Sequence, residues 1–310
     1  MSLARRSFLQ TLLGSSFALG GQRLLAASEP EASPETAKPF TVAFLTDTHQ
    51  PAGNQDVMQK VGSLIDGIQA REAAPELFVF GGDNVMAVDG RQSDEQADIQ
   101  FQQWQENVND RLKVPSLSCI GNHDIRWQDH DKENPESYRE KDRATKTYGM
   151  PARYYTAKHG GWQFFLLDTF QYQGCEIDEA QWKWLEEELA KSDLPAVVVT
   201  HAPLMSVTHF YEASTDKGIG NGYAIPSGWS PQRLNDLRLL FRKYPRVKLC
   251  LSGHMHTVDR VDVDDTTYIC GGAVSGNWWT EGGYLGYPNC WIELKLFPDG
   301  AWSHQRHETS

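Results

Sequence analysis

Apolar runs and helical periodicities alternate along the chain from residue 40 onward. Phe40-Thr-Val-Ala-Phe-Leu45 is apolar enough for a strand buried on both faces. A helical pattern over 54–72 follows, then a second strand-like run, Leu77–Phe80, a helical pattern over 93–112, and a third run over 116–120. Residues 154–169 differ, because two strand-like runs flank His159-Gly160-Gly161 and so predict a hairpin. Asp178 then stands where a helix N-cap stands, and Gln181 is placed to complete a capping box ahead of Trp182, Leu185 and Leu189. A buried strand over 196–200, a helix over 231–243 and a strand over 247–251 come next. From Arg260 the pattern is strands and turns without helices. Alternating strands and helices predict an α/β fold with a largely parallel sheet. No internal repeat interrupts residues 40–310, which read as one domain. The stretch 203–230 is long for a connection and rich in Gly, Ser, Tyr and His, which suits a pocket wall or lid.

The first 39 residues do not continue this pattern. Residues 1–27 have a positive start with Arg5 and Arg6, a short apolar run to about Gly20, and a small-residue end at Ala26-Ala27. That order is the order of an export signal, and Arg-Arg-Ser-Phe-Leu resembles the twin-arginine leader. The expected partner is then the twin-arginine export machinery, and the expected location is the periplasm or the medium of a bacterium. The apolar run is too short and too rich in glycine for a stable membrane anchor. Residues 28–39 read as a disordered linker.

Charge and cysteine content narrow the partners. The formal net charge is −12 over 310 residues. Arg5, Arg6 and Arg23 are the only charges in residues 1–27, so removing the leader takes the net charge to −15. Such a chain repels polyanions, and no nucleic-acid partner is expected. A bound cation can still draw a phosphate into a local site. Cys119 and Cys250 lie in apolar runs and read as buried thiols, whereas Cys270 with Cys290 is a candidate disulfide. The odd count of five leaves at least one thiol outside any intramolecular pair.

Five short motifs each follow an apolar run: Asp47-Thr48-His49, Gly81-Gly82-Asp83-Asn84, Gly121-Asn122-His123-Asp124, His201, and Gly253-His254-Met255-His256. Residues i and i+2 of an extended segment face the same way, so Asp47 and His49 can meet one ion, and His254 with His256 is a second pair of that spacing. Imidazole and carboxylate donors suit Zn, Fe or Mn, in divalent or trivalent form. A closed structural site needs about four ligands; the seven candidates Asp47, His49, Asp83, Asn122, His201, His254 and His256 fit two ions better than one. Each motif alone is weak, and the signal is their conjunction in order at strand ends.

That order resembles the calcineurin-like metallophosphoesterase superfamily, across residues 47–256. The resemblance implies a four-layer α/β/β/α sandwich with two packed mixed sheets and a metal pair above the strand ends. It implies that Asp47, His49, Asp83 and His256 hold one ion, and that Asp83 bridges to a second held by Asn122, His201 and His254. It further implies that a bridging hydroxide attacks phosphorus and that His123 serves the leaving group, with Asp124 orienting the His123 imidazole. Purple acid phosphatases carry a tyrosine three residues after their Gly-Asp aspartate; here that position is Met86, and His49 stands where their first motif lacks histidine. Within the purple-acid-phosphatase-related branch, the pattern is nearer to the enzymes resembling cyclic-nucleotide phosphodiesterases.

The implied activity is metal-dependent hydrolysis of a small phosphodiester or phosphomonoester. A nuclease, and a metal-binding scaffold without catalysis, are the alternatives; the acidic balance disfavours the first and the intact motifs the second. Asn277, Trp278 and Trp279 in a Gly-rich stretch, with Tyr284 and Tyr287, are either an aromatic substrate wall or sheet core. His209 and Tyr223, with Phe210 and Tyr211, are either substrate contacts or loop packing. The remaining histidines, His130, His159, His304 and His307, match no motif and read as surface or strand residues.

Overall fold

The computed structural model describes residues 38–88, 92–126, 139–171, 174–210 and 225–309. The expected leader, the expected linker up to residue 37, His130, Tyr211 and Tyr223 lie outside them. In chain order the elements are β1 (Phe40–Leu45), α1 (Gln55–Gln69), β2 (Leu77–Phe80), α2 (Asp94–Asn107), β3 (Ser116–Ser118), α3 (Arg139–Thr147), β4 (Tyr155–His159), β5 (Trp162–Leu166), β6 (Phe170–Gln171), β7 (Gly174–Cys175), α4 (Glu179–Leu189), β8 (Ala196–Val199), α5 (Leu234–Lys243), β9 (Val247–Ser252), β10 (Val258–Val263), β11 (Thr266–Gly271), β12 (Cys290–Leu296) and β13 (Trp302–Glu308).

Two sheets form, with strand orders β13-β12-β1-β2-β3 and β10-β11-β9-β8-β5-β4. Each has a parallel centre and antiparallel strands at one or both edges, so both are mixed. Period-two alternation explains how the second sheet serves two layers. Phe164 and Leu166 of β5, with Val197 and Val199 of β8, join one core with Phe44, Phe78 and Phe80 of the first sheet and with α1 and α2. The residues between them, Phe165, Ala196 and Val198, join a second core with Leu185 and Leu189 of α4 and Leu237, Leu240 and Phe241 of α5. Strand β9 breaks the alternation, since Val247 packs with the helices and Leu249 with the first sheet. A bulge accounts for this: the register steps from Ala196–Val247 to Val197–Leu249 and leaves Lys248 over. The result is the α/β/β/α sandwich. Each fully buried Phe or Leu in it contributes about 1.5–3 kcal/mol.

Helix starts follow side-chain caps. Asn54 accepts from Val57 N at 3.1 Å, Ser93 from Gln96 N at 3.2 Å, and Asp178 from Gln181 N at 2.9 Å. The capping box expected at Gln181 does not form. Its amide instead brackets the backbone of Asp168, accepting from Asp168 N and donating to Asp168 O, both at 2.8 Å. α2 is shorter than its pattern and passes into a single 3-10 turn at Asn109–Arg111. α5 begins later than expected, after Arg233 in a left-handed conformation (φ 61°).

Cys270 and Cys290 are both free, so the candidate disulfide is absent. Their thiols point to different carbonyls, Gly253 O and Gly271 O. All five cysteines are buried, and burial pushes Cys175 up to about 12 and Cys290 to about 11.

A buried ion network ties α3 to the loop after β5. Lys141 Nζ donates to Asp168 Oδ2 at 2.6 Å and to Phe170 O, while Arg153 reaches Asp168 at 2.8 Å and Asp178 at 2.5 Å. Asp168 is wholly buried and Lys141 nearly so. Asp168→Ala leaves two cations in low dielectric without this carboxylate, so urea unfolding should show a loss of about 3–5 kcal/mol. A loss under 1 kcal/mol would mean that the network is relaxed by water.

Candidate metal centre

The parallel pairing runs past the strand ends and aligns the loops that carry the motifs. Gly81 N donates to Leu45 O at 2.8 Å, Asp47 N to Gly82 O at 3.0 Å, and His49 N to Asp83 O at 3.0 Å. In the other sheet Gly253 N donates to His201 O at 3.0 Å, and Ser275 N crosses to Asp47 O at 3.1 Å. The carboxyl ends of both sheets therefore converge on one place. Gly121 and Gly82 are needed there for lack of a side chain: a Cβ on Gly121 would collide with the Asp83 carboxylate, and one on Gly82 would lie 2.7 Å from Gly121 N.

These loops are not extended. Asp47 (φ 54°), His49 (φ 42°), Asp83 (φ 51°), His254 (φ 69°) and His256 (φ 55°) all occupy the left-handed region. Asp47 and His49 do meet in one donor group, through left-handed residues in a tight loop, whereas His254 and His256 face different groups. The extended-strand rationale is thereby corrected. Asp and His tolerate this region better than most side chains, yet each still costs of order 1–3 kcal/mol and persists only because the surrounding pairing over-determines it.

Three groups of donors result, each with its atoms within 4.8 Å of one another: Asp47, His49 and His256; His49, Asp83 and His123; and Asp83, His201 and His254. Asp83 belongs to two of them. Its Oδ2 lies 3.1 Å from His201 Nε2, 3.7 Å from His49 Nε2 and 4.0 Å from His123 Nε2. Its Oδ1 accepts from His123 N at 2.8 Å. Asp47 Oδ1 lies 3.3 Å from His256 Nε2, and the same carboxylate accepts from His254 N and Thr46 Oγ1.

Carbonyls outside the cluster set the imidazole tautomers. His201 Nδ1 donates to Gly81 O at 2.8 Å, His256 Nδ1 to Gly276 O at 2.5 Å, and His254 Nε2 to Gly228 O at 2.9 Å. The opposite nitrogens are left with lone pairs, the arrangement metal ligands adopt. His49 Nε2 stands 3.0 Å from His256 Nε2. Asn122 Oδ1 and His201 Nε2 are buried without a hydrogen-bond partner. Orphaned buried acceptors of this kind normally demand explanation, and cations between them supply one.

The electrostatics agree. Burial would raise Asp47, but the charges of His201 and His256 outweigh it and hold the carboxylate well below its usual range. Burial opposes ionisation of Asp83 as well, and His201 and His123 overcome it. Burial lowers His201, yet Asp83 and Asp47 lift it to about 9; burial and the His201 charge push His254 down to about 4. A dry pair of carboxylates here requires positive charge, which protons or metal ions can provide.

Asp124 does something other than orient His123. Its Oδ1 accepts from Asn84 N (2.9 Å), Val85 N (3.2 Å) and Tyr148 Oη (2.7 Å), and its Oδ2 from Asp83 N (2.9 Å) and Gly121 N (2.8 Å). The carboxylate is spent on locking the Asp83 loop to the Asn122 loop. Burial, then the Asp83 charge, raise it to about 6. His123 is more exposed than His49, His201 and His256 and meets His49 edge-on, with centroids 4.8 Å apart.

The aromatic residues divide. Trp278 lies over His256, centroids 4.2 Å apart and 31° from parallel, whereas Trp279 turns inward and its indole N–H donates to Thr48 O (3.0 Å) and His49 O (3.1 Å). Asn277 closes a one-bridge turn with Thr280. His209 is buried against Trp229, centroids 6.0 Å apart, and belongs to none of the three donor groups. Phe170, not anticipated from sequence, meets His201 at 5.6 Å and His254 at 5.3 Å; its only sequence signal is a two-residue strand, too short to stand out. Trp279→Phe keeps the packing and deletes the shared N–H, so stability should fall by about 1 kcal/mol, read as a lower denaturant midpoint; an unchanged midpoint would show that the bond carries no net energy.

Comparison with known proteins agrees with this geometry. The family model described as calcineurin-like phosphoesterase matches residues 40–258. A 3',5'-cyclic-nucleotide phosphodiesterase of Nostoc sp. is 22% identical over 281 residues, 86% of this chain and 91% of that protein. Among solved structures, a dimetal phosphatase from Danio rerio matches with a TM-score of 0.58 at 13% identity, covering 88% of this chain and 100% of that one. GAP50 of Plasmodium, described as the anchor in the inner membrane complex, matches with a TM-score of 0.51 at 16% identity, covering 88% and 89%. At such identities the structural likeness speaks for the fold alone.

Proposed function

The chain belongs to the calcineurin-like phosphoesterase family, and on that premise we propose that it hydrolyses small phosphate esters at a two-metal centre. The observation that supports this most is Asp83, whose carboxylate takes part in two donor groups and faces imidazoles from three other loops. Asp47, His49, Asp83 and His256 would hold one ion; Asp83, Asn122, His201 and His254 would hold the other. Bound ions supply Lewis acidity toward the phosphoryl oxygens and acidify the attacking water. The chain's own contribution is to fix donor positions through the Gly81, Gly276 and Gly228 carbonyls and to exclude water beside Phe170. His123, at the rim, donates to the departing oxygen.

The diester reading is favoured over the monoester by the Nostoc relative, a 3',5'-cyclic-nucleotide phosphodiesterase. Turnover of an aryl phosphodiester and the matching monoester, with Mn²⁺, Fe²⁺ or Zn²⁺ added, tests both. No hydrolysis of either would overturn the enzyme reading in favour of a scaffold. Preference for the monoester would overturn the diester assignment alone.

The export reading belongs to the same proposal. No helix among the described residues is long and apolar enough to cross a membrane. Replacing Arg5→Lys with Arg6→Lys should leave the full chain in the cytoplasmic fraction, whereas normal export of that variant would rule out the twin-arginine route.

A further inference from the structure

We infer that Trp278, edged by Tyr284, is a stacking platform that selects esters carrying a planar aromatic group, such as a nucleobase, beside the phosphoryl site. This inference rests on the phosphoesterase reading above and adds the substrate class.

The loop after β11 makes two neighbouring tryptophans do opposite things. Trp278 (φ 48°) and Trp279 (φ 66°) are both left-handed, a genuine strain for bulky aromatics. Trp279 packs half-buried against the core and is bonded to the backbone of Thr48 and His49. Trp278 is left 37% exposed over the metal donors. Its ring lies 4.2 Å from that of His256 and 5.8 Å from that of His49. Tyr284 stands at 85° to Trp278, with centroids 5.4 Å apart, and so fixes the indole plane from its edge. The turn bridges Asn277–Thr280 and Tyr284–Tyr287 hold both rings on one short loop.

Shielding His256 would account for one face of the indole. It does not account for the exposure, nor for a strained backbone that keeps a large apolar ring toward solvent. An accessible aromatic face next to a phosphate site is what a base-bearing ester requires. A base joined to the phosphate through one sugar reaches from the donor cluster to the ring beside it. The net charge of −12 repels long polyanions but leaves a single nucleotide admissible.

The test compares adenosine 3',5'-cyclic phosphate with the same ribose cyclic phosphate lacking the base, on metal-loaded enzyme. The bond cleaved and the leaving alcohol are unchanged, so the ratio of kcat/KM values isolates the base. Wild type should favour the base-bearing ester by about 5- to 150-fold, the range of base–aromatic stacking. Trp278→Ala should bring the ratio close to one, and Trp278→Phe should retain part of it. Because both esters are measured on one preparation, altered metal occupancy cancels. Binding supplies a second readout: calorimetric affinity for adenosine 5'-monophosphate over ribose 5-phosphate should fall by the same factor in Trp278→Ala. A ratio near one in wild type, or an unchanged ratio in Trp278→Ala, overturns the platform. If wild type hydrolyses neither ester, turnover of the aryl phosphodiester and monoester decides separately whether the phosphoesterase reading fails, and the binding comparison still decides whether Trp278 stacks on a base.

Discussion

Asp83→Ala is expected to lose metal and ester hydrolysis together, with kcat/KM down at least about 10³-fold. Its carboxylate is the one shared by two of the described donor groups, with Oδ2 faced by His201, His49 and His123. Without it, two clusters fall to pairs of imidazoles, which must compete for cations without a negative charge between them. The substitution also frees His123 N, which bonds to Oδ1. Asp83→Asn separates these effects, since an amide oxygen can still accept that bond while the charge is gone. Metal content by mass spectrometry should therefore fall in both variants, and the loop should stay ordered in the Asn form. Wild-type turnover in either variant would refute the two-metal assignment.

The candidate donors were legible because metal chemistry is carried by residue type. Asp, His and Asn after successive apolar runs name themselves as donors whatever the backbone does. The backbone was not legible in this way. An i, i+2 pair has the same spacing whether it lies on a strand or in a loop of left-handed residues, and only the loop-to-loop hydrogen bonds of Asp47 and His49 decide for the second. The sheets were readable from their apolar runs, but the bulge at Lys248 was not, because it depends on the partner strand.

Two further features lay beyond a periodicity reading. Helix α3 carries almost no apolar residues, and its interior positions are Lys141 and Ala144, so no hydrophobic stripe announces it. What makes Lys141 an interior residue is Asp168, 27 positions away. Asp124 shows the same limit. Its place beside His123 in sequence suggested an orienting carboxylate, whereas four backbone amides and Tyr148 claim it in the fold. Proximity along the chain named the residue and could not name its partner.

His123 carries the sharpest remaining prediction, because two roles with opposite consequences meet in it. As a ligand, a reading its place in the group with His49 and Asp83 permits, its removal would lower metal content. As a donor to the departing oxygen, its removal should leave both ions and reduce turnover by about 10²- to 10⁴-fold. The geometry favours the donor. Its Nε2 is 4.0 Å from Asp83 Oδ2, farther than that of His201 or His49, and its side chain is 27% exposed where the other two are closed off. The loss should also depend on the ester. A nitrophenolate leaves without needing a proton, so His123→Ala should cost little there and far more with an alkoxide of high pKa. His123→Gln, which offers a hydrogen bond but no transferable proton, should fall between the two. An equal loss across leaving groups, accompanied by loss of metal, would move His123 from the departing oxygen into the ligand set.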